Sequence, residues 1–204
     1  MSIAELQTNT EHFLRTNYVK IVGGAAAALA GPSYFKMGPD PAGGGICITK
    51  LNDRREGPDV FEAWYIPMEQ IGSFAANRLP TIEESPLRIM LTCQLTACLF
   101  VVGSDGESTT VAHIQPDKKA HTNLSQDQAN AARQSDMRMA ARVRGMKTFM
   151  SHSQPFDNFT KGYDYYSGKE ERVAIVGVRD AEGHWNILAQ VVNKDKTVKD
   201  VHRI

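Results

Sequence analysis

The sequence predicts an α+β fold in a single domain spanning residues 1–204, with many strands and one long helix inserted among them. Three observations carry this expectation. Short β-favouring segments recur along the chain, separated by glycine, proline and aspartate. One stretch, Ser125–Met150, has the capping signal and apolar spacing of a helix. The chain has 204 residues, 42% of them hydrophobic and 23% charged, which is the balance of one ordinary globular domain. A chain of that size buries roughly 70% of its unfolded surface, enough for a core.

The elements follow in order. Ser2–Val22 begins with a helix, carried by Ile3, Leu6, Phe13 and Leu14. Gly23–Gly45 mixes glycine, alanine and proline and reads as an excursion ahead of the main sheet. Ile46–Leu51 (ICITKL) and Val60–Ile66 (VFEAWYI) read as strands joined by the loop NDRREGPD. Leu79–Pro86 is a second loop. Leu87–Thr92 and Leu95–Val102 are apolar and β-favouring, and the chain then turns at Asp105-Gly106 and returns through Thr109–Ile114. Asp-Gly suits a two-residue hairpin because both central positions need positive φ.

In Ser125–Met150, Ser125 and Gln128 fit the capping box, and Met139, Val143, Met146 and Met150 form an apolar stripe. Arg133, Arg138, Arg142, Arg144 and Lys147 make a basic face, either solvated or read by an acidic partner. Arg172–Val178 and Trp185–Val192 are two further strands about the turn Asp180–Gly183. The tail Asn193–Ile204 is polar and is expected to pack little.

Composition excludes several classes. Lys and Arg total 23 against 23 Asp and Glu, so nucleic acid is not the default partner. No apolar run approaches the length of a membrane span, and Met1–Gln7 lacks the layout of a signal peptide, so a soluble protein without a classical export signal is expected. Cys47, Cys93 and Cys98 are too few, and odd in number, for a disulfide scaffold. Their plain reading is as small buried hydrophobes. No cysteine or histidine spacing suits structural zinc. Gly38–Gly45 lacks the lysine of a phosphate loop. No cofactor is implied.

One pair carries chemistry. With Asp105-Gly106 as the central turn residues, Val102 faces Thr109, Phe100 faces Val111 and Cys98 faces His113. Opposed residues share a face with Cβ atoms about 4.5–5.5 Å apart. A thiol beside an imidazole is a nucleophile: the imidazolium stabilises the thiolate, and the same ring can protonate a leaving amine. The pair suits acyl transfer at an amide. A cross-strand cysteine and histidine are more often inert packing partners.

LTAC at Leu95–Cys98, then VVGSDG and His113, resembles the LSGC…GDGG…H segment of a family of glutamine deamidases. That family includes the Burkholderia lethal factor and the catalytic domain of the cytotoxic necrotizing factors. The resemblance implies that Cys98 is the nucleophile and His113 its partner fifteen residues on. Related deamidases place a catalytic threonine six residues before the cysteine, which is Thr92 here; a β-favouring threonine in a strand is the alternative. Six extended residues span about 20 Å, so that role requires the chain to bend around Cys93-Gln94. Phe61–Gln70, FEAWYIPMEQ, is similar to the aromatic, proline-containing strand ahead of the family's site. Thr96 and Ala97 stand where the family has serine and glycine.

What the resemblance implies about fold is a mixed β-sheet or sandwich core flanked by helices, like the necrotizing-factor catalytic domain. What it implies about function is a toxin or effector hydrolase of virulence. Such an enzyme converts a glutamine of a host GTPase, or of a helicase of translation initiation, to glutamate. It would be monomeric, free of cofactors, nucleic acid and membrane, and delivered into the host cytosol without a classical signal peptide. AHIQP at Ala112–Pro116 also resembles the bacterial chemoreceptor deamidases, which act in the bacterial cytoplasm. A non-catalytic binding module is the alternative from another class. Target choice would lie in the loops Gly38–Gly45, Asn52–Asp59 and Gln154–Gly168.

Overall fold

Alternation along the strands, read against which side chains are buried, sets the architecture. In the computed structural model the described residues are 2–23, 29–95, 98–104, 108–143 and 172–204. The N-terminus holds α1 (Ile3–Thr8) and α2 (Thr10–Thr16), followed by strands β1 (Val19–Val22), β2 (Gly31–Pro39), β3 (Ile46–Lys50) and β4 (Val60–Ile66). Next come β5 (Met68–Gln70), β6 (Asn77–Arg78), β7 (Ile89–Thr92), β8 (Leu99–Ser104) and β9 (Thr109–Gln115). Helix α3 (Gln126–Val143) and strands β10 (Arg172–Arg179), β11 (Trp185–Val192) and β12 (Val198–Arg203) complete the described chain.

Eight strands form one mixed sheet in the order β1-β3-β2-β4-β7-β10-β11-β12. The other four form a small sheet around β9, with β8 along one edge and β5 and β6 along the other. The α+β class therefore holds, with strands dominant and few helices. Both faces of the large sheet are covered, so its central strands are apolar almost continuously. Met90, Val173, Ile175, Ile187 and Ala189 face the small sheet and α3. The alternate residues Leu91, Ala174, Val176 and Leu188 pack with Leu6, Phe13 and Leu14 of α1 and α2. Each such side chain contributes about 1.5–3 kcal/mol on full burial.

The large sheet curls. Gln94 N–H donates to Ile21 O of β1 at 3.0 Å, although three strands separate β1 from β7 in the sheet. Gln190, fully buried on β11, accepts from Val19 N–H at 2.9 Å and donates to Leu14 O and Asn17 O. One amide thus ties α2 and β1 to the far side of the sheet.

Several expected boundaries move. The first helix is two, broken at Asn9, and Val19–Val22 leaves it as a strand. Gly31–Pro39, expected within an excursion, is a nine-residue strand of the main sheet because Phe35 and Met37 alternate into the core. The tail is not loose: β12 pairs with β11, and Val201 is buried. On α3 the capping box forms, with Ser125 N–H donating to Gln128 Oε1 (3.3 Å) and Gln128 N–H to Ser125 Oγ (3.4 Å). The apolar stripe does not face the core. Met139 and Val143 are exposed, while Ala129, Met137 and Ala141 are buried beside Asn130 and Gln134. Met137, on one face with Ala129 and Ala141, takes the core side in place of Met139. Met146 and Met150, Arg144 and Lys147, and the loop Gln154–Gly168 lie outside the described residues. Among the described residues no helix is long and apolar enough to cross a membrane.

Candidate active site

The site grows from two neighbouring strands that leave the large sheet at the same level. Strands β4 and β7 are parallel, and their last register pair is Ile66 with Thr92. Beyond Ile66, Pro67 cannot donate to a ladder, and the chain passes directly into β5 of the small sheet. Beyond Thr92 the chain bends through Cys93 and Gln94, held by Gln94 N–H to Ile21 O and by a bridge between Leu95 and Val173. It resumes as β8 in the small sheet. The bend that the role of Thr92 demands is therefore present, and both crossings converge on β9.

His113 is the centre of β9. Met68 of β5 is its register partner on one side and Phe100 of β8 on the other. The Phe100 ring meets the imidazole edge-on at 6.5 Å between centroids. Thr92 points from the large sheet toward the small one, as Met90 does two residues earlier. Its Oγ1 lies 2.6 Å from His113 Nδ1, with both residues essentially buried. Cys93 Sγ stands 3.8 Å from the same nitrogen. His113 Nε2 is buried and, among the described residues, has no hydrogen-bond partner. Burial pushes the His113 pKa down to about 3, so the ring is neutral near pH 7.

The hairpin of β8 and β9 forms, but its register differs from the expected one. Phe100, not Cys98, opposes His113, and Val102 opposes Val111. This register sets apolar residues against apolar ones, whereas the two-residue turn would have set Val102 against Thr109. Cross-strand pairing outweighs the local turn preference. Asp105 and Gly106 lie outside the described residues. A shift of two residues preserves the face, so Cys98 stays on the side of the sheet that carries His113.

Cys98 is buried, and its Sγ lies 3.5 Å from Met68 Sδ. Because β5 and β8 flank β9 on opposite edges, those two sulfurs meet over β9, across the face that bears His113. Thr92 and His113 are in direct contact, and Cys98 is joined to the register partner of His113. Thr96 and Ala97 lie outside the described residues.

Sequence reasoning missed two neighbours. Cys93, whose plain reading is inert packing, borders His113 Nδ1, and its place next to Thr92 is the available signal. Burial pushes its thiol pKa up, against the lowering effect of hydrogen bonds from Thr92 and the Tyr65 hydroxyl. That makes Cys93 a poor thiolate. Met68 lies within FEAWYIPMEQ, where Pro67 before it marks the change of sheet. Cys47, partly buried, contacts Thr49 Oγ1 at 3.4 Å, away from the site. Among the described residues no group of three or more His, Cys, Asp and Glu side chains could hold a metal ion. No protein-family model matches the chain, and no curated protein matches it either.

Proposed function

We propose that this protein is a protein-glutamine deamidase in which Cys98 is the nucleophile, His113 the base and Thr92 the residue that positions the base. The observation that carries the reading is the 2.6 Å contact of Thr92 Oγ1 with His113 Nδ1. With the Nδ1 proton donated to Thr92, the lone pair remains on Nε2, the nitrogen that has no partner among the described residues. Nε2 is then free to take the Cys98 proton as the sulfur attacks the side-chain carboxamide of a bound glutamine.

The expected resting pair of thiolate and imidazolium gives way to a neutral pair, because burial disfavours the imidazolium. The ions form together at the moment of attack. The carboxamide carbon becomes tetrahedral, and the proton on Nε2 passes to the leaving nitrogen, which departs as ammonia. A thioester remains. Water gives a proton to Nε2, attacks the thioester carbonyl, and releases glutamate while Cys98 regains its proton. An amine in place of water gives transglutamination. No metal or organic cofactor enters these steps.

The resemblance supports an effector acting on a host regulatory protein, either a GTPase or a helicase of translation initiation. Delivery into the host cytosol would follow. A receptor substrate in the bacterial cytoplasm is the variant of the same chemistry. The test is quantitative peptide mass spectrometry on eukaryotic lysate treated with wild-type protein or with Cys98→Ser. The expected result is one or a few glutamines converted to glutamate by wild type only. Identical lysates, and then identical bacterial chemoreceptors, would overturn the reading. One observation favours the non-catalytic module as the second reading: His113 and Cys98 are only 1% and 7% exposed. In that case Cys98 would alkylate no faster than Cys47.

A further inference from the structure

We infer that Cys98, Met68 and His113 form a binding site for a soft monovalent metal ion, Cu(I), independent of the deamidase reading although it shares two residues with it. The argument begins with the two sulfurs. Adjacent strands stand about 4.8 Å apart, so β5 and β8, on either side of β9, are separated by about 10 Å. Met68 Sδ and Cys98 Sγ nevertheless approach to 3.5 Å. They close that gap over β9, on the face where His113 stands directly opposite Met68 in the ladder.

The imidazole is prepared as a ligand. Its Nδ1 is engaged by Thr92 Oγ1, and metal-bound histidines nearly always give their second nitrogen to such a partner. Its Nε2 is buried and, among the described residues, has no hydrogen-bond partner, a costly arrangement that a ligand would relieve. Nδ1 borders Thr92 and Cys93, so Nε2 is the nitrogen left for the opposite side of the ring.

Chemistry then selects the ion. A thiol, a thioether and an imidazole are a soft donor set; thioether and thiolate together favour Cu(I) over magnesium, calcium or manganese. Two metal–sulfur bonds of roughly 2.3 Å spanning 3.5 Å meet at roughly 100°, an open angle that leaves the third position to nitrogen. Binding displaces the Cys98 proton to solvent, and the single positive charge of the ion is cancelled by the thiolate. A divalent ion would leave net charge in a buried place, which is unfavourable. The bound ion would block Cys98 as a nucleophile.

The experiment is anaerobic competition for Cu(I) between the full chain and a chromophoric Cu(I) chelator at pH 7. One ion per chain is expected for wild type and for Cys93→Ser. Loss is expected for Cys98→Ser. Met68→Leu, which keeps volume but removes the thioether, is expected to weaken binding by at least the roughly 10–100-fold that loss of a mere supporting partner costs. Unchanged affinity in Met68→Leu, or loss in Cys93→Ser, would overturn the assignment. X-ray absorption at the copper edge of the wild-type complex needs no variant. Two sulfurs and one nitrogen support the site, and any other shell overturns it. None of these readouts depends on deamidation.

Discussion

On the proposed reading, the hydroxyl of Thr92 sets which nitrogen of His113 works as a base. A buried hydroxyl and a buried ring nitrogen 2.6 Å apart satisfy each other, and separating them leaves both unpaired. Thr92→Val keeps the shape of the side chain and removes only the hydroxyl. It is expected to lower stability by about 1–3 kcal/mol through the orphaned Nδ1. Loss of a supporting partner of this kind is expected to cost roughly 10–100-fold in kcat/KM for deamidation. Thr92→Ser is expected to restore most of both. Urea unfolding with kinetics on the same variants checks this; equal activity in Val and Ser variants would remove Thr92 from the mechanism. Thr92 came into view through the resemblance, which places a threonine six residues before the cysteine. Cys93 on the same nitrogen did not, because contact between sheets depends on the bend.

At the scale of the element, α3 shows why pattern and burial parted. The long side chains Met139 and Val143 suggested the buried face, but Met139 is 58% and Val143 79% exposed, whereas Met137 is fully buried. The core side is built of Ala129, Met137 and Ala141 with Asn130 and Gln134, and residue size in the sequence does not reveal that choice. Met137→Ala is expected to cost about 2–5 kcal/mol, the range for truncating a buried methionine. Met139→Lys is expected to stay within about 0.5 kcal/mol of wild type. Chemical denaturation of the two variants checks the orientation; the reverse order would turn the helix over. The hairpin of β10 and β11 was legible to within one residue of its bounds because Asp180–Gly183 supplies its own turn. There His184 N–H donates to Asp180 Oδ1 at 2.8 Å and Gly183 takes φ 93°. β8 and β9 were legible as strands but not in register, since the match of Phe100, Val101 and Val102 to His113, Ala112 and Val111 outweighed the turn.

For the whole molecule, folding places two titratable groups where acid must undo it. His113 is neutral when folded, its pKa pushed to about 3 by burial, against an ordinary value of 6.5. The unfolded chain therefore takes up a proton first, and stability is full above about pH 6.5 and falls as pH drops toward 3. Asp40 adds a second loss. The hydrogen bond from Lys196 Nζ at 3.0 Å, with that from Ala42 N–H, holds its carboxyl below the usual range despite burial, and Lys20 adds attraction. Its contribution is present above the ordinary carboxylate range and disappears as pH falls through its lowered pKa. The two windows differ, so they can be separated. Wild-type protein is expected to lose stability already between about pH 6.5 and 5, ahead of the carboxylates. Asp40→Asn is expected to be less stable at neutral pH and to keep that early decline while losing part of the later one. Thermal unfolding across the pH range checks both. A flat profile above pH 5 would mean that His113 meets water in the native state and titrates there near its ordinary value. A base that titrates there would lose kcat/KM for deamidation as pH falls through about 6.5, instead of holding activity well below it.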